Sequence, residues 1–304
     1  MLNPRLIVQI LARNIEKKEN PLGIDNSRIN TWWKKVSTDR EGEWLFFTGM
    51  LYQITPYIET AVRYLQRLEN SKLQNILHVS KILSPFSLIG TLTPAELKAE
   101  ANRILVNIYR ILKTSENGVF YRPELDTYSG ILLHDLGNER AFERHALKVV
   151  KRLKMTGVER IVTPDPHTAY ALKSLYPMYA DFDLEVKSYL ELIESVRTNS
   201  EETFVIHDPC YYGRYLGISE RVRDVLDRSG IKYHDVKYSK NITSCCGGPV
   251  EAISPLISSK IAELRLEELG ESEILTFCPI CLANLRRAGG NVRDFAEVIE
   301  GEND

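Results

Sequence analysis

The chain has 304 residues, 43% apolar and 26% charged, which are globular proportions with room for two domains of about 150 residues each. Lysine and arginine number 39 against 41 aspartates and glutamates, a formal charge of -2, so the cation surplus that a nucleic-acid binder sets against phosphate is missing. The five cysteines are odd in number and all fall between Cys210 and Cys281, which excludes the evenly spread pairs of a secreted disulfide scaffold.

The opening segment MLNPRLIVQILARN carries Arg5 and Arg13 and no small-residue cleavage pattern. No stretch reaches the ~18 uninterrupted apolar residues of a spanning helix. The nearest, residues 76–90, is broken by Lys81 and Pro85. The expectation is a soluble, cytoplasmic protein in a reducing compartment, where thiolates remain available to metals.

In chain order, a helix is expected over about 4–18, then a turn at Asn20-Pro21-Leu22-Gly23. The cluster Trp32-Trp33-Lys34-Lys35 suits a helix packing its aromatics on the core, with a partner or membrane-surface contact as the alternative. A strand at 43–47 runs into Thr48-Gly49-Met50. Helical spacing over 56–69 puts Pro56 in a first turn. Residues 71–117 read as helical in two pieces, the second opening at Thr93-Pro94-Ala95-Glu96. A helix over 138–155 and a strand over 159–163 lead into Asp165-Pro166-His167-Thr168, where Asp165 reads as a helix cap, with a vestigial metal or substrate contact through Asp165 and His167 as the alternative.

The second half repeats this order more tightly. Strand 203–207 feeds the loop of Cys210, and helix 218–228 ends at Gly230. Strand 231–237 leads to Cys245-Cys246-Gly247-Gly248, helix 251–269 ends at Gly270, and strand 273–277 enters Cys278-Pro279-Ile280-Cys281. Alternating strands and helices imply an α/β fold with parallel sheets covered on both faces. Sites in such sheets collect at the carboxyl ends of strands, which is where all three cysteine segments lie.

Thiolates gathered at one point select iron-sulfur clusters, zinc or copper(I) over hard cations. Gly247 and Gly248 let the backbone approach an inorganic core and donate amides to its sulfur. A structural zinc site with four thiolate ligands and a redox pair at Cys278 and Cys281 are open alternatives, although the pair leaves the other cysteines unexplained. The two-residue gaps of a bacterial cubane ferredoxin are absent.

These motifs, in this order and rough spacing, resemble the cysteine-rich CCG domain of the B-type and D-type chains of heterodisulfide reductase. Related iron-sulfur subunits serve glycolate oxidase, anaerobic glycerol-3-phosphate dehydrogenase and lactate utilisation. The resemblance implies one noncubane 4Fe-4S cluster per chain, held by Cys210, Cys245, Cys246, Cys278 and Cys281, with zinc the less favoured occupant. His207, Asp208, Gly247, Gly248 and Pro279 would surround it.

The family usually carries two such domains, and the first half reads as a degenerate repeat. Thr48-Gly49-Met50 stands where the first cysteine segment would be, Tyr128-Ser129-Gly130 for Cys-Cys-Gly, and Asp165-Pro166-His167-Thr168 for Cys-Pro-x-Cys. The implied architecture is two Rossmann-like parallel-sheet CCG domains related by duplication: a helical segment at 1–42, a cysteine-free domain at 43–190 with a helical insert at 71–117, and the cluster domain at 191–304. No cluster is expected in the first.

The resemblance implies an iron-sulfur redox subunit that passes electrons within a multisubunit oxidoreductase and is suited to disulfide reduction. Its partners would be a ferredoxin-like iron-sulfur subunit, a flavin dehydrogenase subunit, or both, in a complex compatible with the cytoplasmic face of a membrane. Many relatives begin with a ferredoxin-like domain that this sequence lacks, while Asn20-Pro21-Leu22-Gly23 resembles the linker that follows one. The alternative is a non-catalytic assembly protein whose zinc or cluster only holds the fold.

Overall fold

Strands of a parallel sheet are covered on both faces by crossover helices, so they must be apolar on both sides. In the computed structural model, which describes residues 3–69, 89–115 and 118–299, short runs meet that demand. Trp44–Phe46 (β1), Val119–Phe120 (β2), Arg160–Thr163 (β3) and Glu185–Ser188 (β4) form one sheet in the order β2-β1-β3-β4. Thr203–Ile206 (β5), Lys232–His234 (β6), Ile274–Thr276 (β7) and Val292–Asp294 (β8) repeat it as β6-β5-β7-β8. Every pairing is parallel, with Leu45 opposite Ile161 in the first sheet and Val205 opposite Ile274 in the second. The chain is an α/β protein with two Rossmann-like sheets of one topology. In each sheet the order reverses between its first and third strands, so the loops leaving those strands open a crevice.

Helices follow from capping and amphipathic spacing. Pro4–Lys18 (α1) starts where the Asn3 side chain accepts the Leu6 amide at 3.3 Å, and it ends at left-handed Glu19. Leu51–Glu69 (α2), Ala95–Thr114 (α3) and Ile131–Asp135 (α4) come next in the first half. Glu139–Lys154 (α5) buries Phe142, Ala146, Val149 and Leu153, one stripe at helical period. Pro166–Tyr170 (α6) follows β3. Ser219–Arg228 (α7), Pro255–Leu269 (α8) and Pro279–Arg287 (α9) belong to the second sheet.

Several boundaries differ from the sequence reading. Pro56 lies inside α2 rather than in its first turn, because the helix begins at Leu51. The Thr48 hydroxyl explains the early start: it accepts the Met50 amide at 3.1 Å and Gln53 Nε2 at 2.6 Å, capping the chain just ahead. Of the pieces expected over 71–117, residues 71–88 and 116–117 lie outside the described residues. The second piece opens at Ala95, one residue beyond Pro94, since the Thr93 hydroxyl donates to the Ile89 carbonyl and belongs to the preceding turn. The helix expected from 251 starts at Pro255, where Ser254 caps the Ile257 amide at 3.3 Å. The strand expected over 231–237 is confined to Lys232–His234, since the Asp235 side chain is taken by Arg223.

One core of buried apolar side chains runs through both sheets. Trp32 anchors its first part, with ring centroids 4.7 Å from Tyr121 and 5.4 Å from Phe46. Across the junction, the Tyr52 hydroxyl donates to Asp294 at 2.7 Å, Asn107 donates to the Ala296 carbonyl at 2.9 Å, and the Ser188 and Tyr212 hydroxyls meet at 2.7 Å. Loops at the carboxyl ends of both sheets are thereby held against each other. Among the described residues, no helix is long and apolar enough to cross a membrane.

Candidate metal centre

Three strand ends of the second sheet deliver the cysteines. After β5, the chain is fixed by a buried clamp: Arg223 pairs with the Asp208 carboxylate, which also accepts the Lys240 amide at 2.7 Å. The Thr243 hydroxyl donates to the Asp208 carbonyl at 2.9 Å. Asp208 is thus engaged in tying the Cys210 loop to the loop that carries Cys245 and Cys246. That second loop turns at Gly247, whose φ of 86° favours a residue without a side chain. A Cβ there would lie 2.6 Å from the Ser258 carbonyl oxygen. The Gly247 carbonyl accepts the Ser258 hydroxyl at 2.9 Å, and Asn284 donates to the Cys246 carbonyl. With both carbonyls occupied, the Gly247 amide points at Cys245 Sγ, 3.2 Å away. After β7, Cys278 takes the cap position of α9, with Pro279 in the first turn.

The thiols form one chain of contacts: Cys210 with Cys245, Cys245 with Cys246, Cys246 with Cys281, and Cys281 with Cys278. None is in a disulfide; Cys246, Cys278 and Cys281 are buried, and Cys210 and Cys245 are partly exposed. Crowding makes neighbours share protons. Hydrogen bonds from the Cys210 and Cys246 thiols hold Cys245 far below the usual thiol range. Burial opposes ionisation of Cys278, yet the thiol and amide of Cys281 together with His167 outweigh it and lower it well. The donors Cys210, Cys246 and Cys281 are pushed up in turn. Like charges this close cannot all ionise without a cation among them.

Two histidines flank the sulfurs, one from each half of the chain. A ring nitrogen of His207 and the sulfurs of Cys246 and Cys281 lie within 4.8 Å of one another. His207 Nδ1 accepts Arg265 Nε at 3.1 Å, and arginine only donates, so the ring carries its proton on Nε2. Burial, then the Arg265 charge, lowers its pKa to about 3, so the ring is neutral. Nε2 is buried without a partner among the described residues. From the other half, His167 Nδ1 lies 3.6 Å from Cys278 Sγ. Burial alone would favour a neutral His167, but the Cys278 thiolate and the nearby aspartates raise it to about 9.

The first half reproduces the backbone without the ligands. Gly130 turns at φ 83° as Gly247 does at 86°. Asp165 is an extended cap followed by proline, as Cys278 is, and it accepts the His167 and Thr168 amides at 3.0 and 2.9 Å. Thr168 packs so tightly on Gly49 that a Cβ there would come within 2.0 Å of its hydroxyl oxygen. Met50 is fully buried.

Sequence reasoning took the Asp165 segment for a cap first and a vestigial metal or substrate contact second, and it did not place the His167 ring against Cys278. It also missed Arg265, Ser258 and Asn284, which sit on helices with no motif to mark them. A mainly apolar cleft, open to solvent, runs from α1 and α2 to His167 and Gly248.

Residues 204–286 match the CCG cysteine-rich domain family. A probable membrane-anchored ferredoxin of Chromohalobacter salexigens is 30% identical over 221 residues, 65% of this chain and 33% of its own length. A probable iron-sulfur-binding oxidoreductase, FadF, of Bacillus subtilis is 30% identical over 171 residues, 52% of this chain and 24% of its own. The D-type chain of the dihydromethanophenazine:CoB--CoM heterodisulfide reductase of Methanosarcina acetivorans is 31% identical over 104 residues, 32% of this chain and 25% of its own. The chain thus spans a third or less of each relative. These similarities indicate an iron-sulfur protein of the oxidoreductase-subunit type.

Proposed function

With residues 204–286 identified as a CCG cysteine-rich domain, we propose that the chain is an iron-sulfur redox subunit holding one noncubane 4Fe-4S cluster through Cys210, Cys245, Cys246, Cys278 and Cys281. The observation that carries this reading is the convergence of five thiols into one contact chain, two of them lowered toward thiolate. The donor set fits the group. It is soft and anionic, the Gly247 amide reaches Cys245 Sγ, and the unpaired His207 Nε2 offers a further hydrogen-bond donor. When bound, such a cluster supplies one-electron redox chemistry and an iron at which a substrate sulfur can bind.

The protein's own groups tune and shield the site. The Gly247 amide donates to Cys245 Sγ, His207 supplies a neutral N–H, and His167 supplies a cationic one beside Cys278. Water is kept from the buried Cys246, Cys278 and Cys281, while Cys210 and Cys245 form the side accessible to an electron-transfer partner. That partner is a ferredoxin-like or flavin-bearing subunit, and the complex sits on the cytoplasmic face of a membrane. Relatives named as a membrane-anchored ferredoxin and an iron-sulfur-binding oxidoreductase support this setting. Residues 43–190 act as a repeat that lost its cluster, a reading supported by Met50, Tyr128, Ser129, Asp165 and Thr168 at the ligand positions.

A second reading, reduction of a small-molecule substrate such as a disulfide, is favoured by the cleft that reaches His167 and Gly248. The cluster assignment is tested by substitution in anaerobically purified protein. Cys245→Ser and Cys246→Ser should each abolish the visible and EPR signatures, while Thr168→Ala leaves them unchanged. An unaltered spectrum in either cysteine variant refutes the ligand set.

A further inference from the structure

We propose that the surface bordering the two partly exposed thiols docks the acidic face of a small electron-carrier protein, received by Arg214 and Lys237. This rests on the redox-subunit reading above and gives its partner a chemistry and a position.

Two segments strapped together form the surface. Over residues 211–215 the chain makes a wide turn, with the Leu216 amide bonded to the Tyr211 carbonyl five residues back at 2.9 Å. A turn of that width brings Arg214 and Tyr215 round to the side of Cys210. Residues 237–242 lie against it. A Cβ on Gly213 would come within 2.2 Å of the Lys240 carbonyl oxygen, and Asp208 accepts the Lys240 amide at 2.7 Å. The Lys237 ammonium stands 5.1 Å from the centroid of the Tyr238 ring. The surface thus adjoins Cys210 through its own turn and Cys245 through the chain that runs on from Ile242.

Charge sets the sign of the partner. The other ionic groups of this surface are spent within it: Arg223 holds Asp208 and Asp235, and Lys240 holds Glu220 at 2.8 Å. Arg214 and Lys237 have no ion pair among the described residues. On the far side of the thiols, Lys260 holds Glu263 at 3.0 Å and Arg265 holds Glu268 at 2.7 Å, which leaves Glu267 as the one unpaired acid of α8. The outstanding charge beside the thiols is therefore positive, in a chain whose formal charge is -2.

The cations are interleaved with exposed apolar side chains: Tyr215 is 56% exposed, Ile242 59% and Tyr238 39%. Tyrosine and arginine are the side chains that most often carry binding energy between proteins. Electron-transfer encounters are small, below about 1,200 Å², so a patch of this kind is enough. An anionic membrane fits less well, because lipid recognition takes clusters of about 4–8 cations at about 1 kcal/mol each. Charge complementarity of this sort speeds and orients the encounter, and salt weakens it.

Biolayer interferometry on the anaerobically purified full chain tests the proposal with two probes, an acidic bacterial ferredoxin and basic cytochrome c. The ferredoxin should bind saturably, at least tenfold tighter than cytochrome c. Raising salt from ~20 to ~200 mM, which cuts the Debye length to about 7 Å, should weaken it at least tenfold. Arg214→Glu combined with Lys237→Glu should weaken ferredoxin binding at least tenfold and leave the thermal midpoint unchanged. Arg144→Glu combined with Lys151→Glu makes the same change in net charge on the outer face of α5 and should leave binding within twofold. Tighter binding of cytochrome c, equal losses in the two double variants, or binding to phosphatidylserine vesicles in place of the ferredoxin overturns the proposal. Iron retained without ferredoxin binding sinks this inference alone; ferredoxin binding by a folded chain that holds no iron sinks the cluster reading alone.

Discussion

Arg265 is a wholly buried cation separated from the candidate cluster site by one imidazole ring. Its Nε donates to His207 Nδ1 at 3.1 Å, and a ring nitrogen of His207 lies within 4.8 Å of the Cys246 and Cys281 sulfurs. Those spans put the guanidinium about 8 Å from the gathered sulfurs, where, at an effective dielectric of about 20, a unit charge stabilises one added electron by about 2 kcal/mol. Glu268, ion-paired to Arg265 at 2.7 Å, stays in place when the arginine is replaced, so the whole of that ~2 kcal/mol is lost. At about 2.3 kcal/mol per 100 mV, that corresponds to about 90 mV. Arg265→Met, which keeps the length and removes the charge, should therefore lower the cluster's reduction potential by about 90 mV. Losing the donor that fixes the His207 tautomer acts in the same direction, because Nε2–H is then no longer held toward sulfur. Arg265→Lys keeps the charge and should shift the potential by less than half as much. An EPR-monitored redox titration reads all three proteins. A potential in Arg265→Met that is unchanged or raised would refute the tuning role.

Two further outcomes follow from local geometry. Gly247→Ala meets a positive φ and a carbonyl oxygen 2.6 Å from the new methyl, so it should cost about 1–3 kcal/mol and reduce iron content. Gly230→Ala also has a positive φ but nothing within 4 Å, so it should lower the thermal midpoint slightly and leave iron content unchanged. Burial opposes ionisation of Glu19, but hydrogen bonds and charge from Arg152 and Lys148 lower its pKa from 4.5 to about 2. A lowered folded-state pKa contributes stability above the unfolded value and loses it as pH falls from 4.5 toward 2. After solvent screening, Glu19→Gln should cost about 1 kcal/mol at neutral pH. Urea unfolding of the metal-free chains should show that gap narrowing below pH 4.5 and closing toward pH 2, and a gap that does not narrow would contradict the assignment.

The legible parts of this protein were those written locally. Alternating runs such as Thr203–Ile206 followed by Ser219–Arg228 announce a parallel α/β sheet, and Gly230 and Gly270 mark helix ends by their permitted backbone. Asp165 was legible as a cap because a carboxylate ahead of proline meets the first free amides. The edge strands Val119–Phe120, Glu185–Ser188 and Val292–Asp294 escaped because two to four residues carry too little periodicity. What surrounds the thiols was hidden for another reason. His167 reaches Cys278 across 111 positions once the two halves have packed, and Arg265 reaches His207 across 58 once α8 has packed on the end of β5. An arginine in a charged helix reads as solvated until its neighbours are known.

The central claim is tested most directly by iron, acid-labile sulfide and zinc analysis with EPR on anaerobically purified protein. The account predicts about four irons with matching sulfide per chain and no stoichiometric zinc. One zinc per chain without iron would contradict it and leave the site as a device for holding the fold.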